Sequence, residues 1–193
     1  MELGLTIPLQ RHLKIRNVPY GEELERNFCW DLHVITLNGR GSLLAVHCSS
    51  RYAFTLYDLN RSEWDRLEET FLDGLQRSFW NIGISQQVSA HYFQQAGAAQ
   101  LTKTHGRREV AYLNRTWEDV LSFDYVLNHS SREQTLLDHA VNTRLCHCAG
   151  ALEMGSSESR IIKFLQRPSG VLPEDVVWEN NTAHQNWSTW GHL

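Results

Sequence analysis

An alternating run that turns on an Asn-Gly pair constrains this chain more than anything else in it. Phe28, Trp30, Leu32 and Val34 alternate with Cys29, Asp31 and His33, the period of a strand with one buried face. Asn38-Gly39 follows, a pair that readily takes positive φ at both central positions of a two-residue hairpin turn. Ser42 to Cys48 reads as the return strand, and Tyr52 to Tyr57 as a third, with Tyr52, Phe54 and Leu56 on one face. An antiparallel meander over about residues 28–58 is predicted. If Trp30 faces the core, Asp31 and His33 are expected on the opposite, solvent face, without a special role.

Before this run, Leu3, Leu5 and Ile7 mark a short first strand that Pro8 stops, and Leu9 to Ile15 gives one or two helical turns. After it the period becomes helical. Asn60 with Glu63 fits a capping box, and Trp64, Leu67, Phe71, Leu75 and Phe79 form the clearest amphipathic stripe. A shorter helix spans Ser85 to Ala96, closed by Gly97, and Ala98 to Thr102 reads as an edge strand. A third helix runs from Gly106 to about Phe123, with Val110, Leu113, Trp117 and Leu121 as its stripe. Ser131 with Gln134 suggests a capping box for a fourth, and a fifth covers about Glu158 to Arg167 and stops at Pro168. The fold class expected is α+β: a small antiparallel meander sheet with an N-terminal strand, covered on one face by four to five helices. Residues 1–168 form one domain, and 169–193 form a tail holding Trp178, Trp187 and Trp190.

The 193 residues, 41% of them hydrophobic, suffice for one ordinary core, and a net charge of −4 argues against a surface devoted to nucleic acid. No signal peptide is read at the N-terminus, and no run approaches the roughly 18 apolar residues of a membrane span. Four cysteines are few for a disulfide scaffold, so a reducing cytoplasm is expected. There is no Walker A motif, Gly-x-Ser-x-Gly or His-Glu-x-x-His. Cys146-His147-Cys148 hints at metal, but zinc ligands usually stand two to four residues apart, so neither metal nor cofactor is assigned.

The candidate site is Lys103 to Trp117. With Val110 at zero on a helical wheel, Leu121 falls near about 20°, Asn114 near about 40° and Arg107 near about 60°. Arg107 and Asn114 are therefore expected on the buried face, and Arg108 and Arg115 on the outer one. Thr104, Arg107 and Asn114 would hold a phosphate or other anionic ligand, with Lys103 and His105 as proton-handling catalytic groups. The plainer reading makes Thr104 a helix cap, Arg107 half of an ion pair and Asn114 a loop anchor.

Leu5-Thr6-x-Pro8-Leu9-Gln10, the tryptophan-led strand and Lys103-Thr104-His105-x-Arg107…Leu113-Asn114 resemble a bacterial family known as a domain of unknown function. That family reads roughly Lys-Thr-x-x-Arg-Ser-x-x-Gly-x-Leu-Asn-Asp at the last motif. Arg108, Ala111 and Arg115 depart from it here. The resemblance implies a bacterial, cytoplasmic protein with a mobile-element association. Two functions stay open. One is a binding or regulatory module, in a toxin–antitoxin or phage-defence setting, docking a protein partner through the tryptophan-containing tail. The other is a nucleotide- or RNA-acting enzyme built on the Arg/His/Asn cluster. Membrane association is not expected, and the oligomeric state is left open.

Overall fold

A computed structural model describes residues 1–22, 26–148 and 153–166. The tail from 169 to 193, with its three tryptophans, lies outside the described residues. No helix among those described is long and apolar enough to cross a membrane.

The meander forms as the alternation requires. Strand β2 (Cys29–Leu37) turns into β3 (Arg40–His47), and β3 pairs antiparallel with β4 (Ala53–Leu56). Asn38 and Gly39 take φ of 45° and 76°, the mirror-image turn that suits the strand twist. The expected purely antiparallel sheet is corrected by β1 (Glu2–Leu5), which runs parallel to β2 on one side and to β5 (Gln100–Lys103) on the other. The sheet is mixed and five-stranded, ordered β4-β3-β2-β1-β5. The N-terminal strand is interior because its chain leaves through α1 (Ile7–Leu13), a crossover that returns the next strand parallel.

Helices cover both faces, not one. Trp30, Leu32, Leu43, Ala45, Phe54 and Leu56 form the first face of the sheet. Against it lie α2 (Arg61–Asp65), α3 (Leu67–Asn81), α4 (Gln86–Ala96) and α7 (Ser157–Leu165). The Asn60–Glu63 capping box is present, and the stripe Trp64, Leu67, Phe71, Leu75 and Phe79 is buried as expected. It is divided between α2 and α3 by a break at Arg66.

The second face carries Ile35, Leu37, Leu44, Val46 and Ala53 beneath α5 (Arg107–Ser122) and α6 (Thr135–Asn142). That layer changes what Asp31 and His33 are. Neither faces solvent, for Asp31 is 1% and His33 7% exposed. Helix α5 is also rotated from the predicted phase. Its buried positions are Glu109, Leu113, Thr116 and Val120, whereas Trp117 and Leu121 are partly exposed and Arg107 and Asn114 face outward. The buried Glu109 carboxylate is held by Arg108 at 2.7 Å, which lets an acid occupy the inner stripe.

Edge strand β4 is closed by one side chain and a short backbone bridge, Leu56 to Glu133, rather than by a full strand. Asn142 accepts from Ala53 N at 2.8 Å and donates to Ala53 O at 2.6 Å, and Tyr57 N donates to Arg132 O at 2.8 Å. The predicted Ser131 capping box is absent. Gln134 instead accepts from Asn128 N and donates to the carbonyls of Asn128 and Ser131, tying the turn ahead of α6.

Candidate metal centre and dithiol cleft

The sheet register assembles a polar end on the second face. Glu2 pairs with Cys29 across β1 and β2, and Gly4 lies between Asp31 on β2 and Thr102 on β5. Alternation turns Glu2, Gly4, Cys29 and Asp31 to one side. Cys48, just past β3, is tied there by its N–H to Cys29 O at 3.0 Å. The β5–α5 connection then lays His105 over this surface, with Arg26 donating to the His105 carbonyl at 3.2 Å.

Gly4 makes the room. A Cβ there would run into Asp31 Oδ1 and would come within 2.9 Å of both His105 Nδ1 and the Thr104 Cα. In that space His105 is bracketed by two carboxylates. Its Nδ1 meets Asp31 Oδ1 at 2.7 Å and its Nε2 meets Glu2 Oε2 at 3.0 Å. The His105 side chain is 2% exposed. The two thiols complete the group: Cys48 Sγ lies 3.5 Å from His105 Nδ1, and Cys29 Sγ donates to Glu2 Oε2 at 3.9 Å.

The electrostatics are those of an enclosed charge cluster. Burial pulls His105 towards the neutral form, but the hydrogen bond to Asp31 and the neighbouring thiols outweigh it and raise its pKa. Burial pushes the Asp31 carboxyl up, and His105 pulls it partly back. The proton in their contact belongs to the pair. Burial, with Asp31 adding to it, pushes the Cys48 thiol up to about 12, although His105 draws it down. That thiol is a poor nucleophile without a cation to bind it.

Two sets of ligand atoms share His105. Glu2, Cys29 and His105 form one, and Asp31, Cys48 and His105 the other, with the atoms of each set within 4.8 Å of one another. Asp31 Oδ2 is buried and has no hydrogen-bond partner. An imidazole, thiolates and carboxylates suit a borderline-soft ion of the zinc class, not calcium or magnesium, which take oxygen ligands. Sequence reasoning missed Glu2, Cys29 and Cys48 and put Asp31 on a solvent face, because Glu2, the Cys29–Asp31 stretch, Cys48 and His105 come from four separate parts of the chain. The usable signal was Gly4 inside an apolar strand, a mark of close approach by another group.

The predicted site residues disperse around this centre. His105 is in it. Lys103 places its ammonium over the Tyr20 ring at 3.8 Å from the centroid, and Lys103 N donates to Pro19 O at 2.7 Å. Thr104 is half-buried in the connecting loop, while Arg107 and Asn114 project from α5. His105 thus faces the sheet and the other two face out, so these residues do not line one opening. The helix cap expected of Thr104 is absent, since Gly106, at φ 134°, is the N-cap of α5.

A second cysteine pair lies away from this centre. β6 (Leu145–Cys146) pairs with β7 (Gly155–Ser156) just before α7. Cys146 opens onto a cavity of about 380 Å³ lined also by Arg51, Tyr112, Arg115, Arg144 and His147. His147 does not join the cysteines in a three-ligand group among the described residues. Arg160 Nη1 donates to Cys146 Sγ at 3.2 Å and to Cys148 Sγ at 3.1 Å.

No curated protein matches this sequence. Residues 2–158, which include every member of both clusters except Arg160, match the family described as Domain of unknown function (DUF6933), and the chain belongs to that family.

Proposed function

We propose that this domain is a metal-binding module whose centre holds a divalent ion of the zinc class with Asp31, Cys48 and His105, backed by Glu2 and Cys29. The observation that carries the reading is Asp31 Oδ2, a buried carboxylate oxygen without a donor beside two ligand sets that share His105. A divalent cation would balance the carboxylates, bind the thiol as thiolate and release the proton that His105 and Asp31 share. The centre is closed, so the ion would act structurally, fastening the β5–α5 connection to β1, β2 and the end of β3. The sequence suggested a binding module of another kind, docking a protein partner through its tail, with no metal assigned. The bacterial, cytoplasmic and toxin–antitoxin or phage-defence setting rests on the family resemblance.

The alternative of a nucleotide- or RNA-acting enzyme needs His105, Lys103, Thr104, Arg107 and Asn114 around one substrate, and their dispersal favours the metal reading. The test is metal content after purification without chelator, followed by cobalt titration of the stripped protein. A single equivalent with a thiolate-to-cobalt absorption band is expected, weakened in Cys48→Ser and unchanged in Cys146→Ser. Protein that retains no zinc and gives no thiolate band with cobalt would sink the proposal.

A further inference from the structure

Cys146 and Cys148 are set up differently from the buried pair. Both sulfurs lie against Nη1 of Arg160, and its Nη2 donates to Cys146 O at 2.6 Å. The two sulfurs are therefore neighbours, held by a shared cation. Cys146 Sγ is 3.5 Å from Ser157 Oγ in the first turn of α7, where the helix end favours negative charge. Arg51 reaches the same place, with its guanidinium 4.7 Å from the Tyr112 ring centroid and Nη1 donating to His147 O at 3.0 Å. Cys148 lies behind, 5% exposed, with Sγ 3.2 Å from Ser50 O.

The two thiols divide a role between them. The Cys148 thiol beside it, with Ser157, Arg51 and Arg160 adding, lowers Cys146 to about 4 despite burial. Cys148 is raised, chiefly by that same contact and by burial. The surroundings favour the thiolate at Cys146, on the cleft, and the protonated thiol at Cys148 behind it.

We propose that Cys146 and Cys148 form a peroxide-reactive dithiol, in which Cys146 is oxidised at the cleft and Cys148 resolves it as an intramolecular disulfide. The Cys146 thiolate attacks a hydroperoxide oxygen. The S–O bond forms, the O–O bond breaks, and the alkoxide or hydroxide leaves and takes a proton from solvent. Sulfur is oxidised by two electrons and the peroxide is reduced. The Cys148 thiol then attacks the sulfenic sulfur, an S–S bond forms, and the hydroxyl departs as water with the Cys148 proton. Arg160 and Arg51 hold the thiolate and balance charge as the oxygen leaves.

The experiment exposes the whole reduced protein to about one equivalent of hydrogen peroxide, with intact mass and peptide mapping as readouts. The expected product has lost two hydrogens and links Cys146 to Cys148, with Cys29 and Cys48 still reduced. Cys148→Ser should stop at a sulfenic acid on Cys146 that dimedone traps, and Cys146→Ser should form no disulfide. Arg160→Gln should slow oxidation about tenfold or more at about pH 6, where an ordinary thiol of pKa about 8.5 is almost wholly protonated. Should that variant lose the native circular dichroism, the wild-type pH profile decides. A rate that holds level down to about pH 5 supports the thiolate, and one that falls below about pH 8 overturns it. Oxidation of Cys29 or Cys48 first, or of Cys146 no faster than a free cysteine, would also overturn it.

Discussion

The two cysteine clusters sit on one domain and face opposite electrostatic settings. Cys29 and Cys48 are buried with two carboxylates, and Cys48 is pushed up to about 12. Cys146 stands at a cleft beside arginines and is lowered to about 4. The same side chain is thus held towards the thiol in one place and towards the thiolate in the other. What decides is the surroundings, not the cysteine: the hydrogen bond from Cys148 first, then Ser157 and the arginines at Cys146, against burial beside Asp31 at Cys48. Enclosed thiols among acids suit a metal ion that supplies the missing positive charge, whereas a thiolate matched to guanidinium is already neutralised and is free to react.

The largest effect should come from removing the imidazole common to both ligand sets. His105→Ala leaves Glu2 and Asp31 as buried acids without their shared partner, and a loss of about 3–5 kcal/mol in urea unfolding is expected, with no metal retained. A change below about 1 kcal/mol would break the contrast, because it would mean that the enclosed cluster carries no concentrated charge. Gly4→Ala tests the same centre by shape alone. Its Cβ would collide with Asp31 and crowd His105 Nδ1 at 2.9 Å. The expected cost is about 1–3 kcal/mol, read as a lower midpoint, together with reduced cobalt binding.

The contrast in thiol chemistry can be sharpened without mutation. Iodoacetamide at about pH 6 should label Cys146 at least about a hundredfold faster than Cys48 in native protein. Because the folded pKa of Cys146 lies below its unfolded one, its reactivity should hold as the pH falls and drop only near about 4. Equal labelling of the two would show that burial and charge sign do not separate them. The smallest effects belong to the outward face of α5. Arg107→Ala and Asn114→Ala should each change stability by less than about 0.5 kcal/mol and leave metal content and Cys146 oxidation as they were. Loss of metal in either variant would tie that face to the centre.

The outward position of those two residues shows where sequence reading stopped. The wheel for α5 took Val110, Leu113, Trp117 and Leu121 as the inner stripe, but the helix is turned so that Glu109, Leu113, Thr116 and Val120 are inside. Hydropathy could not find that phase, since an acid paired with Arg108 and a threonine that donates to the Tyr112 carbonyl occupy inner positions. His105 was singled out, but for proton chemistry at a cleft, and its two carboxylate partners lie 103 and 74 positions away in the chain.

The sequence by itself determined the local elements. The Asn38-Gly39 turn, the capping box of Asn60 and Glu63, the Trp64–Phe79 stripe and the strand at β5 depend on neighbours a few residues apart, and their signals are local. Tertiary structure alone decided that β1 lies inside the sheet, parallel to both neighbours, and that helices cover both faces. Those two outcomes turn Asp31 from an expected surface acid into a buried one, and bring Glu2, Cys29, Cys48 and His105 around it. A carboxylate's charge is written in the sequence, but its cost and its partners depend on which face the rest of the chain chooses to cover.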